Sequence, residues 1–438
     1  METDKTTLND LAVFQHDEEF SIFHKLNFTR TVGGREKLRH IFSSSLKDIV
    51  SIQNVQKTLQ LILQKKDDWP ITISNGSVLM IHKFYESSID QIPARPAVSS
   101  TYYYKIFHAP DFSLVKYSMG HAFDFIKGMQ QIIEIFMTDD APENLKKNLL
   151  KANILIQKQQ LDIVTAKEKM DDLSMHEMLG FAHYIRYHFK QNLLELIEIY
   201  YELDAWYGMA IAVGEYKLVF PNFITSQKPD LKAKGLYHLL LKEPVAYDLE
   251  LDVNNNFIFL TGANMAGKST FIKAVGGAAF LAHIGMGVPA TAMELSLFEG
   301  LLSNINVVDN VAKGESYFYN EVQRIKNTIL KINDGRKWLI LIDELFKGTN
   351  VQDAMKCSTI VIEGLIKIKS SLFILSTHLY EIAEVLKKYP NIKFKYFETN
   401  VEDEKLSFNY NLKDGISNDR LGYLILKREK VIDLLEKL

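Results

Sequence analysis

"FLTGANMAGKSTF", residues 259–271, carries the spacing G-x-x-x-x-G-K-[ST], with Gly262, Gly267, Lys268 and Ser269 at its fixed positions. The apolar run "FIFL" just before it reads as a buried strand, and the residues from Lys268 onward read as a helix. Strand, glycine-bearing turn and helix N-terminus make an anion cradle. Backbone N–H groups converge in the loop, and the helix dipole adds positive potential. The pattern therefore predicts a nucleoside triphosphate site, with Lys268 on the β- and γ-phosphates and Ser269 on Mg²⁺. The cradle is expected to comprise Gly262, Ala263, Asn264, Met265, Ala266, Gly267, Lys268, Ser269 and Thr270.

The segments around this loop supply the rest of such a site. "KWLILIDELFKGTN" (337–350) ends an apolar strand on an acidic pair. Asp343 suits the Mg²⁺ shell, and Glu344 suits orienting or deprotonating an attacking water. "LFILSTHLYEI" (372–382) sets His378 after another apolar strand, within reach of a γ-phosphate. "AKGESYFYNEV" (312–322) offers Ser316 at the start of a helix, where a hydroxyl serves equally as an anion contact and as an ordinary N-cap. Loop, serine helix, acidic strand end and strand–histidine follow the order of the ABC-type ATPases. That order implies a site completed by Ser316 in trans, from a second subunit.

From about residue 215 short apolar runs such as "YKLVFPNF" (216–223), "WLILIDE" and "SLFILSTH" alternate with helical segments. This predicts an α/β domain with a mixed, largely parallel sheet and its chemistry at the strands' carboxyl ends. "FKYFETN" and "LSFNYNLKDG", around "VEDEK", read as a hairpin. Before residue 215 apolar residues recur three and four apart, as in "DIVSIQNVQKTLQLILQKK" (48–66) and "SLVKYSMGHAFDFIKGMQQIIEIFM" (113–137). The segment 175–214 is long enough for a rod or two stacked helices. The expected organisation is an all-α domain at 1–214 and a P-loop domain at 215–438.

With 438 residues, 47% hydrophobic and 24% charged, the composition is that of a globular protein with a sizeable core. The net charge of -3 gives no whole-molecule field to attract nucleic acid, so any such binding must come from a local, salt-sensitive patch. Candidates are "RTVGGREKLRH" (30–40), "NLKKNLLKANILIQK" (144–158) and "HYIRYHFK" (183–190), each also readable as a solvated helix face. The aromatic run "TYYYKIF" (101–107) is expected to pack between helices. A lone cysteine, Cys357, excludes an internal disulfide. The acidic, polar N-terminus lacks a signal-peptide core, and "AVGGAAFLAHIGMGVPATAM" (274–293) reads as a buried helix continuing the loop. No membrane association and a cytoplasmic location are expected.

The motifs are specific enough to suggest a family. "TGANMAGKST" resembles the T-G-P-N-M-G-G-K-S-T loop of the MutS family of DNA mismatch-repair ATPases, above all at Asn264 and Met265. "SYFYNEV" is similar to its S-x-F-x-x-E-M signature at Ser316, Phe318 and Glu321. "LIDELFKGTNVQDA" resembles D-E-x-x-x-G-T-x-x-x-D-[GA] at Asp343, Glu344, Gly348, Thr349 and Asp353. "STHLYEI" resembles T-H-[YF]-x-E-L at Thr377, His378 and Glu381. Upstream, residues 28–63 and 201–223 look more loosely like the family's core and returning lever helices.

The resemblance implies an ABC-type P-loop ATPase domain preceded by an all-α core and lever domain. It implies ATP and Mg²⁺, a homodimer closed around ATP, and DNA as partner in repair. The expected function is ATP hydrolysis coupled to movement of the lever arms on duplex, mismatched or branched DNA. The alternative is an ATP-switched interaction protein whose arms hold a protein or ribonucleoprotein. Compared with the family's full pattern, the mismatch-reading, connector and nuclease domains are expected to be missing, and the lever region and the C-terminal brace "GISNDRLGYLILKREKVIDLLEKL" to be shortened. The family's reader tripeptide F-x-E occurs once, at Phe84-Tyr85-Glu86, and is expected not to act as one.

Overall fold

The structure is a computed structural model and describes residues 1–94, 96–305, 317–402, 405–417 and 431–435. It divides into two compact units. One comprises Met1–Lys25, Ser44–Ile52 and Tyr216–Leu438; the other comprises Leu26–Ser43 and Gln53–Glu215.

The second unit is helical. Its main elements are α1 (Val32–Ser43), α2 (Ala109–Phe136) and α3 (Lys190–Glu215). In α2 the buried residues Phe112, Val115, Met119, Phe123, Ile126 and Met129 recur at helical spacing and form its core-facing stripe. The segment 175–214 is two helices rather than a rod. Met175–Tyr187 ends at His188, and α3 starts at Lys190.

The junction of α1 and α3 explains the "TVGG" stretch. The carboxylate of Asp204, fully buried in α3, accepts from the backbone N–H groups of Arg30 and Thr31 and from the Thr31 hydroxyl. It thus anchors Thr31, the residue just before α1, from 173 residues away in sequence. The Thr31 hydroxyl in turn caps α1 by accepting from Gly34 N–H at 3.0 Å, with the carboxylate's negative charge placed at the positive end of the helix dipole. A Cβ on Gly34 would lie 2.1 Å from the Asp204 carboxylate, so only glycine allows this approach. Burial raises the Asp204 pKa, opposed by these same hydrogen bonds.

The other unit is mixed α/β with two sheets. Strands β1 (Asn222–Ile224), β2 (Leu231–Leu236), β3 (Tyr247–Leu251), β4 (Phe257–Thr261), β5 (Ala292–Ser296), β6 (Gly300–Asn304), β7 (Trp338–Asp343), β8 (Ser371–Ser376), β9 (Ile392–Glu402) and β10 (Lys405–Asp414) follow in order. The larger sheet runs β10-β9-β4-β8-β7-β6, parallel throughout except for the β9–β10 hairpin. The smaller sheet, β1-β5-β2-β3, was not expected from the sequence. Its strands are short and half-polar, and "YKLVFPNF" supplies only the start of β1.

Strands β4, β7 and β8 are buried along their whole length because both faces of the sheet are covered. On one face Phe257, Phe259, Ile340, Ile342 and Phe373 pack with Ile325 and Ile332 of α5 (Tyr317–Ile332) and Ile362 and Leu365 of α6 (Val351–Leu365). On the other, α4 (Lys268–His283) lies against Leu341 and, through Phe271 and His283, against Tyr247 and Phe223 of the small sheet. The apolar stretch at 274–293 is therefore a core helix, and among the described residues no helix is long and apolar enough to cross a membrane.

Candidate nucleotide site

β4 delivers the chain to the carboxyl end of the large sheet, between β8 and β9. There the loop 262–267 turns through three left-handed positions, Gly262 (φ 141°), Met265 (φ 67°) and Gly267 (φ 106°), before α4 begins at Lys268. At Gly267 a Cβ would also press on the Tyr410 ring at 3.3 Å. The Lys268 side chain folds back over this loop and is 5% exposed. Its ammonium donates to the carbonyls of Gly262 (2.7 Å) and Ala263 (2.9 Å). Burial pulls its pKa down to about 8, opposed by the charges of Glu344 and Asp343. A buried cation partnered only by neutral carbonyls is poised to gain from an anion.

Ser269, in the first turn of α4, donates to Asp343 Oδ2 at 2.5 Å. Ser376, at the end of β8, donates to the other carboxylate oxygen. Asp343 and Ser376 stand side by side in register across β7 and β8, so the pairing is fixed by the sheet. Ser269 and Asp343 form a hard oxygen donor pair beside the phosphate-type loop, which is the donor chemistry Mg²⁺ prefers.

Glu344 leaves β7 with φ 65°, its N–H donating to Ser376 O at 3.0 Å. Its carboxylate pairs with His378 Nε2 (2.7 Å) on one oxygen and with the Lys347 ammonium (3.2 Å) on the other. Burial acts to raise its pKa, but the hydrogen bond and charge of His378, then Lys347, hold it at about 2. His378 is placed by Thr377, whose N–H bonds Leu260 O of β4 at 2.9 Å.

A cavity of about 390 Å³ opens over this cluster. Ala263, Asn264, Met265, Gly267, Lys268, Ser269, Thr270 and Glu344 line it. Gly262 and Ala266 shape the loop behind it, and Asp343 and His378 are reached through Ser269 and Glu344. Ser316 lies outside the described residues. The sequence reading missed the rest of the cavity's lining, Leu241, Glu243, Val245, Tyr247 and Tyr410. Tyr410 (φ 57°) sits where the β9–β10 register shifts between Phe408 and Leu412, and such a bulge re-aims a side chain. Strict alternation in "LSFNYNLKDG" gives no sign of it.

In the helical unit, some side chains of the expected surfaces are held by internal contacts and others pair at the surface. Arg186 donates to the carbonyls of Phe84 and Ser87, and His183 pairs with Ile92 O at 2.9 Å. Lys37 and Lys151 pair with Glu198 and Glu195. Phe84 is 1% exposed, with Arg186 over its ring. The aromatic run departs from expectation. Tyr104 is buried, but Tyr102, Tyr103, Ile106 and Phe107 stand half or more exposed on the helix Val98–Phe107, because only one narrow face of that helix is covered.

Fold and site together define a mixed α/β domain with a glycine-bearing loop, an acidic strand end and a histidine converging on one cavity, in a chain that also carries a helical unit. Residues 258–432 match the family model for MutS domain V. The chain is 29% identical over 269 residues to the DNA mismatch repair protein MutS of Thermotoga maritima, an alignment covering 60% of this chain and 33% of that protein. It is 25% identical over 283 residues to MutS of Staphylococcus haemolyticus (63% and 32%) and 27% identical over 280 residues to human MutS protein homolog 4 (59% and 29%). Over about 60% of its length the chain is a homologue of MutS proteins. It spans about a third of the length of the curated relatives it matches.

Proposed function

We propose that this chain binds ATP with Mg²⁺ at the α/β unit and hydrolyses it as an ABC-type ATPase, in a site completed by Ser316 of a second copy. The observation that supports this most is the convergence of Lys268, Ser269, Asp343, Glu344 and His378 at one cavity. Lys268 exchanges its two carbonyl partners for phosphate oxygens. Ser269 and Asp343 are the residues that would hold Mg²⁺, which when bound would supply charge neutralisation for the phosphoryl oxygens. Glu344, kept ionised, orients the attacking water and accepts its proton, while His378 fixes the carboxylate. Tyr410 provides an aromatic face for the nucleotide base beside the loop. The functional division proposed is core and lever at 1–214 and ATPase at 215–438, with Met1–Lys25 and Ser44–Ile52 packing as part of the ATPase unit.

DNA is the proposed partner, since the relatives are named for DNA mismatch repair, and the ATP cycle would move the helical arms along duplex, mismatched or branched DNA. A second reading has specific support. The net charge is -3, Arg186 is engaged internally, Lys37 and Lys151 sit in surface ion pairs with glutamates, and the helix Val98–Phe107 exposes an aromatic face. These features suit an ATP-switched protein whose arms bind a protein partner. Steady-state ATP turnover with homoduplex, mismatched and branched DNA, at two salt concentrations, separates the two. Stimulation that fades at high salt supports DNA. Turnover indifferent to every DNA supports the protein-binding reading.

A further inference from the structure

We propose that Glu321 is a positioning residue that sets the geometry of Glu344 through the loop between them. This rests on the reading of Glu344 as the group that handles the attacking water. Glu321, in the second turn of α5, is 4% exposed, and its carboxylate accepts from two successive backbone N–H groups, Lys347 (3.2 Å) and Gly348 (3.3 Å). One turn earlier, Phe318 packs on Phe346 with ring centroids 5.6 Å apart. The start of α5 therefore holds the loop by one polar and one apolar contact.

That loop needs holding. Glu344 (φ 65°) and Phe346 (φ 60°) are both left-handed, a conformation that costs about 1–2 kcal/mol for each non-glycine residue and persists only where surroundings impose it. Ser376 and His378 constrain the strand side. Glu321 constrains the far side, at the residue whose side chain reaches back to Glu344 Oε2. A displacement at the beginning of α5 is thus transmitted through residues 347–348 to the carboxylate.

A double-mutant cycle on ATP turnover tests it, with Glu344→Gln run in parallel. Glu321→Gln is expected to lower kcat about tenfold or more, as loss of positioning does, and to leave KM and nucleotide Kd within about threefold. Lys347→Met, on a partly exposed side chain that should not disturb folding, is expected to lower kcat in the same way. The double variant should lose no more than the worse single one, because both act along one path. Additive losses, or a loss of nucleotide affinity matching the loss of kcat, would overturn the proposal. If Glu321→Gln fails to fold, an unchanged kcat in Lys347→Met overturns it alone. Wild-type turnover in Glu344→Gln would instead bring down the underlying reading of the site, and this proposal with it.

Discussion

Nε2 of His378 lies 2.7 Å from Glu344 Oε1 and 3.4 Å from the Lys268 ammonium, so one ring nitrogen faces an acceptor and a donor together. Only Nε2–H is compatible with the shorter contact, and it leaves Lys268 bonded to the Gly262 and Ala263 carbonyls alone. His378 then acts on Glu344 and not on Lys268. His378→Ala is expected to lower kcat about tenfold or more through a loosened carboxylate, with ATP affinity nearly unchanged. An equal fall in affinity, measured by equilibrium binding, would assign the histidine to phosphate contact.

Gly267 combines φ 106° with a Cβ position only 3.3 Å from the Tyr410 ring, tighter than an ordinary contact. Gly267→Ala should destabilise the α/β unit by about 1–2 kcal/mol, and weaken nucleotide binding more than that figure alone suggests, because the loop and Tyr410 shift together. Urea unfolding and nucleotide titration on the same variant separate the two effects.

In the helical unit, Asp204→Asn keeps the shape but removes charge and turns an amide towards the three donors at Arg30 and Thr31. A loss of about 2–3 kcal/mol is expected from buried donors left without acceptors. Stability within experimental error of wild type would mean that the start of α1 is not held by Asp204.

Two histidines, His283 fully buried and His238 partly so, make the α/β unit sensitive to acid. Burial lowers His283 to about 3, against its hydrogen bond to Ala279 O, and it accepts from Phe298 N–H through the other ring nitrogen. Burial, then the charges of Lys273 and Lys25, lower His238 to about 4. Both folded values lie below the unfolded 6.5. Between pH 6.5 and about 4 the unfolded chain therefore binds more protons, and stability falls as pH drops. Each histidine contributes a slope of about 1.4 kcal/mol per pH unit at most. Denaturation midpoints from pH 7.5 to 4.5 should show this fall, and His238→Gln should flatten it.

Phe84→Ala tests the lone F-x-E tripeptide. A fully buried phenylalanine predicts a stability loss of about 3–5 kcal/mol. A variant of wild-type stability with altered DNA binding would restore Phe84 as a wedge.

The features legible in the sequence are those fixed by local rules. Continuous apolar runs mark β4, β7 and β8, glycine spacing marks the loop, and Asp343, Glu344 and His378 follow because each sits at a strand's end. The small sheet escaped notice because β1 and β5 are short, polar-flanked and paired across some 70 residues of sequence. Tyr410 was hidden by a register shift, which no residue pattern announces. The break at His188 was open to either reading, since apolar spacing continues across it. The exposure of Tyr102 and Phe107 depends on which neighbours cover a helix, and composition favours the buried reading for any aromatic run.

The most direct test is calorimetric titration of ATP with Mg²⁺ into wild-type protein and Lys268→Ala. Saturable binding by wild type and a loss of about a hundredfold or more in the variant is the predicted result, since the ammonium would be bonded to charged phosphate oxygens. Equal affinity in the two proteins would contradict the assignment of this cavity as the nucleotide site.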